Sequence, residues 1–144
     1  MGDCIVNSTC YQFANDTCLV IGDRNPQTAL DLLQSDLNAL AKWCHDAGLV
    51  INTSKTKLLV IKSPYVKRLP IKDLVAHAHS CLHAGSTAAC SCPGIETVDR
   101  QTYLGLVIDS KFLWSDHIER VCIKLRQFMA NITILNNRIP FKFS

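Results

Sequence analysis

The first regular feature along the chain is a pair of short apolar runs within Tyr11–Ile21, interrupted by Asn15-Asp16. Asn and Asp are turn formers, so the pattern predicts a β-hairpin with its acidic tip at Asn15 and Asp16. The period then changes. Leu30, Leu33, Leu37, Leu40, Ala41 and Cys44 recur at three- and four-residue steps, with Asp31, Gln34, Asn38 and Lys42 off the stripe. This predicts an amphipathic helix. Asn25 suits its N-cap, Pro26 its first position and Gly48 its end. Leu49-Val50-Ile51 reads as a short strand and Asn52–Thr56 as a turn. Leu58-Leu59-Val60-Ile61 has no polar alternation, so it is expected as a strand buried on both faces. Pro64 and Pro70 mark a connection, and Tyr103–Ile108 reads as a further strand with a turn at Asp109-Ser110-Lys111. A last helix is predicted from about Ser115 to Asn136. Ile118, Val121, Cys122, Leu125, Phe128, Met129, Ile132 and Leu135 form its apolar stripe, with Arg120, Lys124 and Arg126 among its polar positions.

These elements make the class α+β. A chain of 144 residues with 48% hydrophobic and 19% charged composition fits one globular domain or a piece of a larger one. No repeat or low-complexity segment interrupts it. The charge is uneven: residues 1–61 carry four Lys/Arg against six Asp/Glu, and residues 111–144 carry six against two. An acidic start and a basic end suit a protein that holds metal at one place and a phosphate backbone at another, although scattered surface charge gives the same sums. Met1-Gly2-Asp3-Cys4 lacks the apolar run of a signal peptide, and no stretch reaches the length of a membrane span. The chain is therefore expected inside the cell, in nucleus or cytoplasm, with no membrane partner. Its eight cysteines are then expected as free thiols or metal ligands rather than disulfides.

Phe13-Ala14-Asn15-Asp16 resembles the Phe/Tyr-Ala-Asp-Asp hairpin of reverse transcriptases, motif C. Gly48-Leu49-Val50-Ile51-Asn52 with Lys55-Thr56-Lys57 resembles motif D of the same family. Tyr103-Leu104-Gly105, Ile108-Asp109, Trp114 and His117-Ile118 resemble motif E and its continuation in non-LTR retrotransposon enzymes. Each motif alone is weak. Their order and spacing together cover nearly the whole chain. The resemblance implies a partial palm (antiparallel sheet with a packed helix) over residues 1–110 and the start of the thumb over 111–144. The function implied is that of a fragment of an RNA-directed DNA polymerase, a nucleotidyltransferase of a transposable element, with an RNA template and a DNA primer as partners. The intact family enzyme needs magnesium, because nucleotide addition uses two divalent ions about 4 Å apart held by carboxylates.

Two departures bear on that implication. Asn15 stands where the family has the first Asp of its pair, and an amide offers one neutral oxygen. Asp16 is the carboxylate left at the tip. The chain also begins just before motif C, so the first catalytic Asp strand and the nucleotide-selecting helix have no counterpart in it. The expectation is a chain inactive alone. The alternative is a non-catalytic nucleic-acid-binding module retained from a retroelement and stabilised by zinc.

The resemblance further implies a general acid or triphosphate positioner at Lys55, with Lys57 as a nearby substitute. It implies a primer grip at Tyr103, Leu104 and Gly105. Arg120, Lys124 and Arg126 on the last helix are candidates for phosphate contact, against the plainer reading of a solvated face. Trp114 and His117 are read as packing and capping residues. Outside the family pattern lies a Cys/His-rich segment. His77, His79, Cys81 and His83 alternate and would share one face of a strand. Closed by Cys90 and Cys92, that strand offers His79, Cys81, Cys90 and Cys92 as four zinc ligands. The first reading of this segment, however, is an irregular insertion whose thiols serve packing.

Overall fold

The computed structural model describes residues 4–62, 73–78, 81 and 90–138, with side chains through 136. Helix α1 (Pro26–Asp46) forms where the stripe predicts it. Asn25 is the N-cap, its side chain accepting from the Gln27 amide at 3.0 Å, and Pro26 opens the helix. At the other end Gly48 takes a φ of +70°. The Gly48 N–H then reaches the His45 carbonyl at 3.0 Å and the Leu49 N–H the Cys44 carbonyl at 2.7 Å, a Schellman closure. The closure explains a miss. Leu49-Val50-Ile51 leaves the helix as exposed connecting chain, with Val50 94% exposed, and not as a strand.

The described strands form three separate two-stranded ladders. β1 (Thr9–Phe13) pairs antiparallel with β2 (Asp16–Val20), β3 (Lys57–Leu59) pairs with β4 (Glu96–Val98), and β5 (Arg100–Tyr103) pairs antiparallel with β6 (Leu106–Asp109). Helix α2 (Ser115–Arg138) follows. The architecture is α+β. Two strands differ from expectation. The run at 58–61 contributes only its first half to β3, with Leu58 buried and Ile61 exposed, so it is not covered on both faces. The run Tyr103–Ile108 is a hairpin, because Leu104 and Gly105 take φ values of +48° and +85° and reverse the chain in two residues.

Contacts divide the chain into two units, 1–58 with 64–98, and 59–63 with 99–144. In the first, α1 buries Leu30, Leu37, Leu40 and Cys44, and Leu58, Leu74, Ala76, His77 and Ile95 are buried with them. Gln34 couples α1 to the segment at 74–76. Its Nε2 donates to the Val75 carbonyl and its Oε1 accepts the Val75 N–H, both at 2.8 Å. Val75 in turn bridges Gly94 antiparallel, flanked by Ile95 N–H to Leu74 carbonyl at 2.7 Å and Ala76 N–H to Pro93 carbonyl at 3.1 Å.

Asp36 is the most enclosed described residue, 2% exposed, on a helix whose stripe does not include it. Its carboxylate accepts from the backbone of Val6, Asn7 and Ser8 at 2.6–3.3 Å, from the Asn7 side chain at 2.9 Å and from the Ser8 hydroxyl at 2.6 Å. Burial pushes this carboxyl up. The Ser8 hydroxyl, the Val6 and Ser8 amides and the Asn7 side chain outweigh that and hold it below the ordinary value. The loop before β1 is thereby fastened to the middle of α1.

In the second unit Asp109, Trp114 and His117 build the joint between β6 and α2. The Asp109 carboxylate accepts the N–H groups of Lys111, Leu113 and Trp114 at 2.9–3.3 Å. Desolvation raises its pKa, and these backbone donors bring it below the ordinary value. Trp114 lies edge-on to Phe112 at 4.8 Å, and His117 Nδ1 accepts the Val107 N–H at 3.4 Å. Trp114 and His117 are half-buried and make packing contacts here, while Asp109 is the residue that satisfies the amides before α2. Arg100 pairs with Asp116 at 2.8 Å at the start of α2. Beyond that turn the apolar stripe of α2 is exposed, with Leu125 56% and Phe128 61% accessible, although its periodicity suggested a covered face.

Candidate functional site

The hairpin tip differs in detail from its sequence reading. Ala14 and Asn15 are the two turn residues, and Asp16 opens β2 opposite Phe13. Ala14 has a φ of +52°, a conformation that glycine adopts freely and other residues at a cost. Asp16 is exposed, and so are Tyr11 and Phe13 on the first strand, so the strands do not form the buried support expected of a metal-bearing tip. Among the described residues Asp16 belongs to no cluster of three or more side chains able to hold a metal. Asn15 adds no charge. The residues present therefore do not fit a two-ion magnesium site.

Lys55 sits on a turn that Asn52 builds. The Asn52 carbonyl accepts from Lys55 and Thr56 N–H at 3.2 and 3.0 Å, and its Oδ1 accepts from the Lys55 N–H at 3.2 Å and the Ser54 hydroxyl at 2.7 Å. The Asn-x-x-Lys-Thr spacing thus has a local cause, a self-closed turn that presents an exposed lysine. Lys57 is engaged by Glu96 at 2.6 Å.

Tyr103 ends β5, and Leu104 and Gly105 form the tip of the β5–β6 hairpin. Beside this hairpin Arg120 donates to the Thr102 hydroxyl at 3.4 Å. An open groove there is lined by Arg100, Thr102, Val107, Asp116, Glu119, Arg120 and Ile123, so acids face the arginines. Lys124 and Arg126 are exposed further along α2.

The convergence of chemistry-bearing side chains is in the Cys/His segment. The N–H of Cys81 donates to the Ala78 carbonyl at 2.9 Å. Most of the strand expected over residues 77–83 lies outside the described residues. Cys81 Sγ lies 3.4 Å from Cys92 Sγ, and Cys90 Sγ lies 3.3 Å from His77 Nδ1. The ligand atoms of His77, Cys90 and Cys92 all lie within 4.8 Å of one another. Cys81 also hydrogen-bonds Cys90. Of the expected set, Cys90 and Cys92 are brought together with Cys81 against Cys92, His79 and His83 lie outside the described residues, and among the described residues the imidazole at the cluster is His77. The cue for His77 was already in the sequence, since it belongs to the same alternating run. The thiols are unlike. The hydrogen bond with Cys92 pushes Cys81 up to about 11. The Ala78 N–H, donating to Cys92 Sγ at 3.3 Å, leads the interactions that hold the Cys92 thiol below its ordinary value. None of the eight cysteines is in a disulfide.

Comparison with known proteins gives no match: no family model, no curated protein and no solved structure resembles this chain closely enough to be assigned. Among the described residues no helix is long and apolar enough to cross a membrane.

Proposed function

We propose that this chain is the motif C-to-thumb portion of a reverse-transcriptase domain of the non-LTR retrotransposon type, and that it contributes nucleic-acid contacts rather than metal chemistry. The observation that carries the reading is the local form of the three motifs in their order along the chain. Phe13-Ala14-Asn15-Asp16 spans a tight hairpin with positive φ at its turn. Asn52 folds a turn that presents Lys55. Tyr103-Leu104-Gly105 turns a second two-residue hairpin, which leads through the Asp109 cap into a long helix. Each of the three motifs thus lies at a turn, the first beside Asp16, the second at Lys55 and the third at Gly105.

Asn15 and the lone Asp16 favour positioning over catalysis. An RNA template and a DNA primer are the partners implied, and the exposed cations Lys124 and Arg126, with Arg120 at the groove, are the groups that would meet phosphate. The test is fluorescence anisotropy of the full chain with a labelled RNA–DNA hybrid over a salt series. Replacing Arg120, Lys124 and Arg126 together by Ala should weaken binding and flatten the slope of log affinity against log salt by about two to three. Binding indifferent to both salt and the substitutions would refute the reading.

A further inference from the structure

Three side chains, His77, Cys90 and Cys92, meet, and a fourth, Cys81, lies against Cys92. Residues 74–76 are held by Gln34 and by the bridge to Gly94, which sets His77 one residue beyond a fixed ladder. Pro93 accepts the Ala76 N–H from the other side of that ladder, which fixes Cys92 just before it. Cys81, whose N–H donates to the Ala78 carbonyl, places a third thiol 3.4 Å from the Cys92 Sγ. His77 is buried, and Cys81, Cys90 and Cys92 are each half-buried. A buried free thiol is by itself a small hydrophobe with a weak S–H donor. Here the sulfurs turn toward each other and toward an imidazole nitrogen.

The spacing is close to that of a coordination shell. A tetrahedron with zinc–sulfur bonds of about 2.3 Å and a zinc–nitrogen bond of about 2.0 Å puts two sulfurs about 3.8 Å apart and a sulfur and a nitrogen about 3.5 Å apart. The observed Cys81–Cys92 and Cys90–His77 separations are 3.4 and 3.3 Å. His77, Cys90 and Cys92 already lie within 4.8 Å of one another; Cys81, in contact with Cys92 but outside that mutual group, would move toward the other three to complete the shell. The Ala78 N–H directed at Cys92 Sγ is the outer hydrogen bond that a metal thiolate uses to spread its charge. Three thiolates and one imidazole are soft to intermediate donors, which selects against magnesium and calcium.

We infer that His77, Cys81, Cys90 and Cys92 form a structural zinc site, closed by four protein ligands and tying the segment at 77–81 to that at 90–92. With all four positions supplied by the chain, no coordination site remains for substrate. The role is a staple. The inference stands whether or not the chain handles nucleic acid.

The test is anaerobic titration of the reduced full chain with cobalt(II), followed by zinc(II). The result expected is the intense visible spectrum of tetrahedral cobalt with thiolate-to-cobalt charge transfer, saturating at one ion per chain and bleached by one equivalent of zinc. Cys92→Ser should lower the affinity at least about 100-fold, since loss of a second-shell partner alone costs about 10–100-fold. His77→Cys should still bind but with stronger charge-transfer absorption, an outcome that a packing role for His77 does not give. Cys122→Ser, on the exposed face of α2, should change nothing. Absence of a tetrahedral spectrum in the unsubstituted chain would overturn the inference. So would binding that survives Cys92→Ser, or a native mass showing a Cys81–Cys92 disulfide without metal.

Discussion

Asp36 offers the sharpest test of how this chain is held together. Six contacts from five donors end on its two carboxylate oxygens. The donors differ in what becomes of them when the acceptor is lost. Val6 and Asn7 are exposed, so their amides would find water. Ser8 is half-buried and gives both its N–H and its hydroxyl at 2.6 Å. Asp36→Ala should thus leave mainly the Ser8 amide unsatisfied and release residues 6–8, costing about 2 kcal/mol. Asp36→Asn should be no milder despite its nearly equal shape. With the NH₂ in the Oδ1 place three contacts become donor against donor, and in the Oδ2 place two do, the Ser8 hydroxyl turning to accept, so the expected cost is about 2–3 kcal/mol. For a domain stable by about 5–15 kcal/mol this moves the urea midpoint substantially.

The assay is urea unfolding followed by far-ultraviolet circular dichroism, with Trp43 on α1 as fluorescence reporter in a Trp114→Phe background. Amide exchange at residues 6–8 should lose its protection in both variants. The pH dependence has a definite sign. The folded carboxyl lies below its ordinary value of 3.8, so its contribution is complete above that value and is lost as pH falls through the folded pKa. The unsubstituted chain should therefore be destabilised on acidification below about pH 4, and Asp36→Asn should flatten that limb. An Asp36→Asn chain within about 0.5 kcal/mol of the original would refute the account of residues 6–8 as pinned by charge-assisted hydrogen bonds.

Other substitutions separate packed from exposed positions. Leu37→Ala should cost about 2–4 kcal/mol because Leu37 is 6% exposed, whereas Leu125→Ala on α2 should change stability by less than about 0.5 kcal/mol, both read from urea midpoints. Ala14→Gly should stabilise the first hairpin by about 0.5–1 kcal/mol by relieving its positive φ, seen as a higher melting temperature. Gly105→Ala, at φ +85°, should cost about 1–2 kcal/mol and loosen the second hairpin, seen as faster amide exchange in β5 and β6. The purified chain should extend no primer with magnesium or manganese. Extension above a no-protein control that Asp16→Ala abolishes would overturn the reading of Asn15 as a degenerate position.

How far the sequence discloses this fold depends on whether the cause is local. The span of α1 is legible because its cap, its proline, its stripe and its glycine all lie within the helix and its flanks. The hairpin at residue 14 is legible for the same reason, and so are the turn at Asn52 and the helix from Ser115. The failures have non-local or conformational causes. Nothing in Leu49-Val50-Ile51 announces that a Schellman closure directs it into solvent. The two-residue reversal at Leu104-Gly105 was hidden because leucine at positive φ is contrary to preference. Asp36 could not be found by periodicity, since its partners stand 28 to 30 residues earlier and make a carboxylate as deeply buried as any leucine.

The Cys/His segment shows the same division within one site. Alternation in sequence placed His77, His79, Cys81 and His83 on one face, and that inference holds only for a strand. Alternation alone does not decide which side chains meet: Cys81, whose N–H donates to the Ala78 carbonyl, lies on Cys92, while His77 lies on Cys90. What decides it is the ladder that Gln34 and Val75 anchor, because it fixes where residues 77 and 92 leave the core. The ligand types, His77 among them, were readable from the sequence. The placing of His77 was not, because it depends on a hydrogen-bonded glutamine 43 residues before it in the chain. It follows that Gln34→Leu, which removes both bonds to Val75 without touching a ligand, should loosen the cluster and lower cobalt affinity by about 10-fold, in the range expected for a supporting residue. Affinity unchanged in that variant would mean that the four side chains find one another without the ladder.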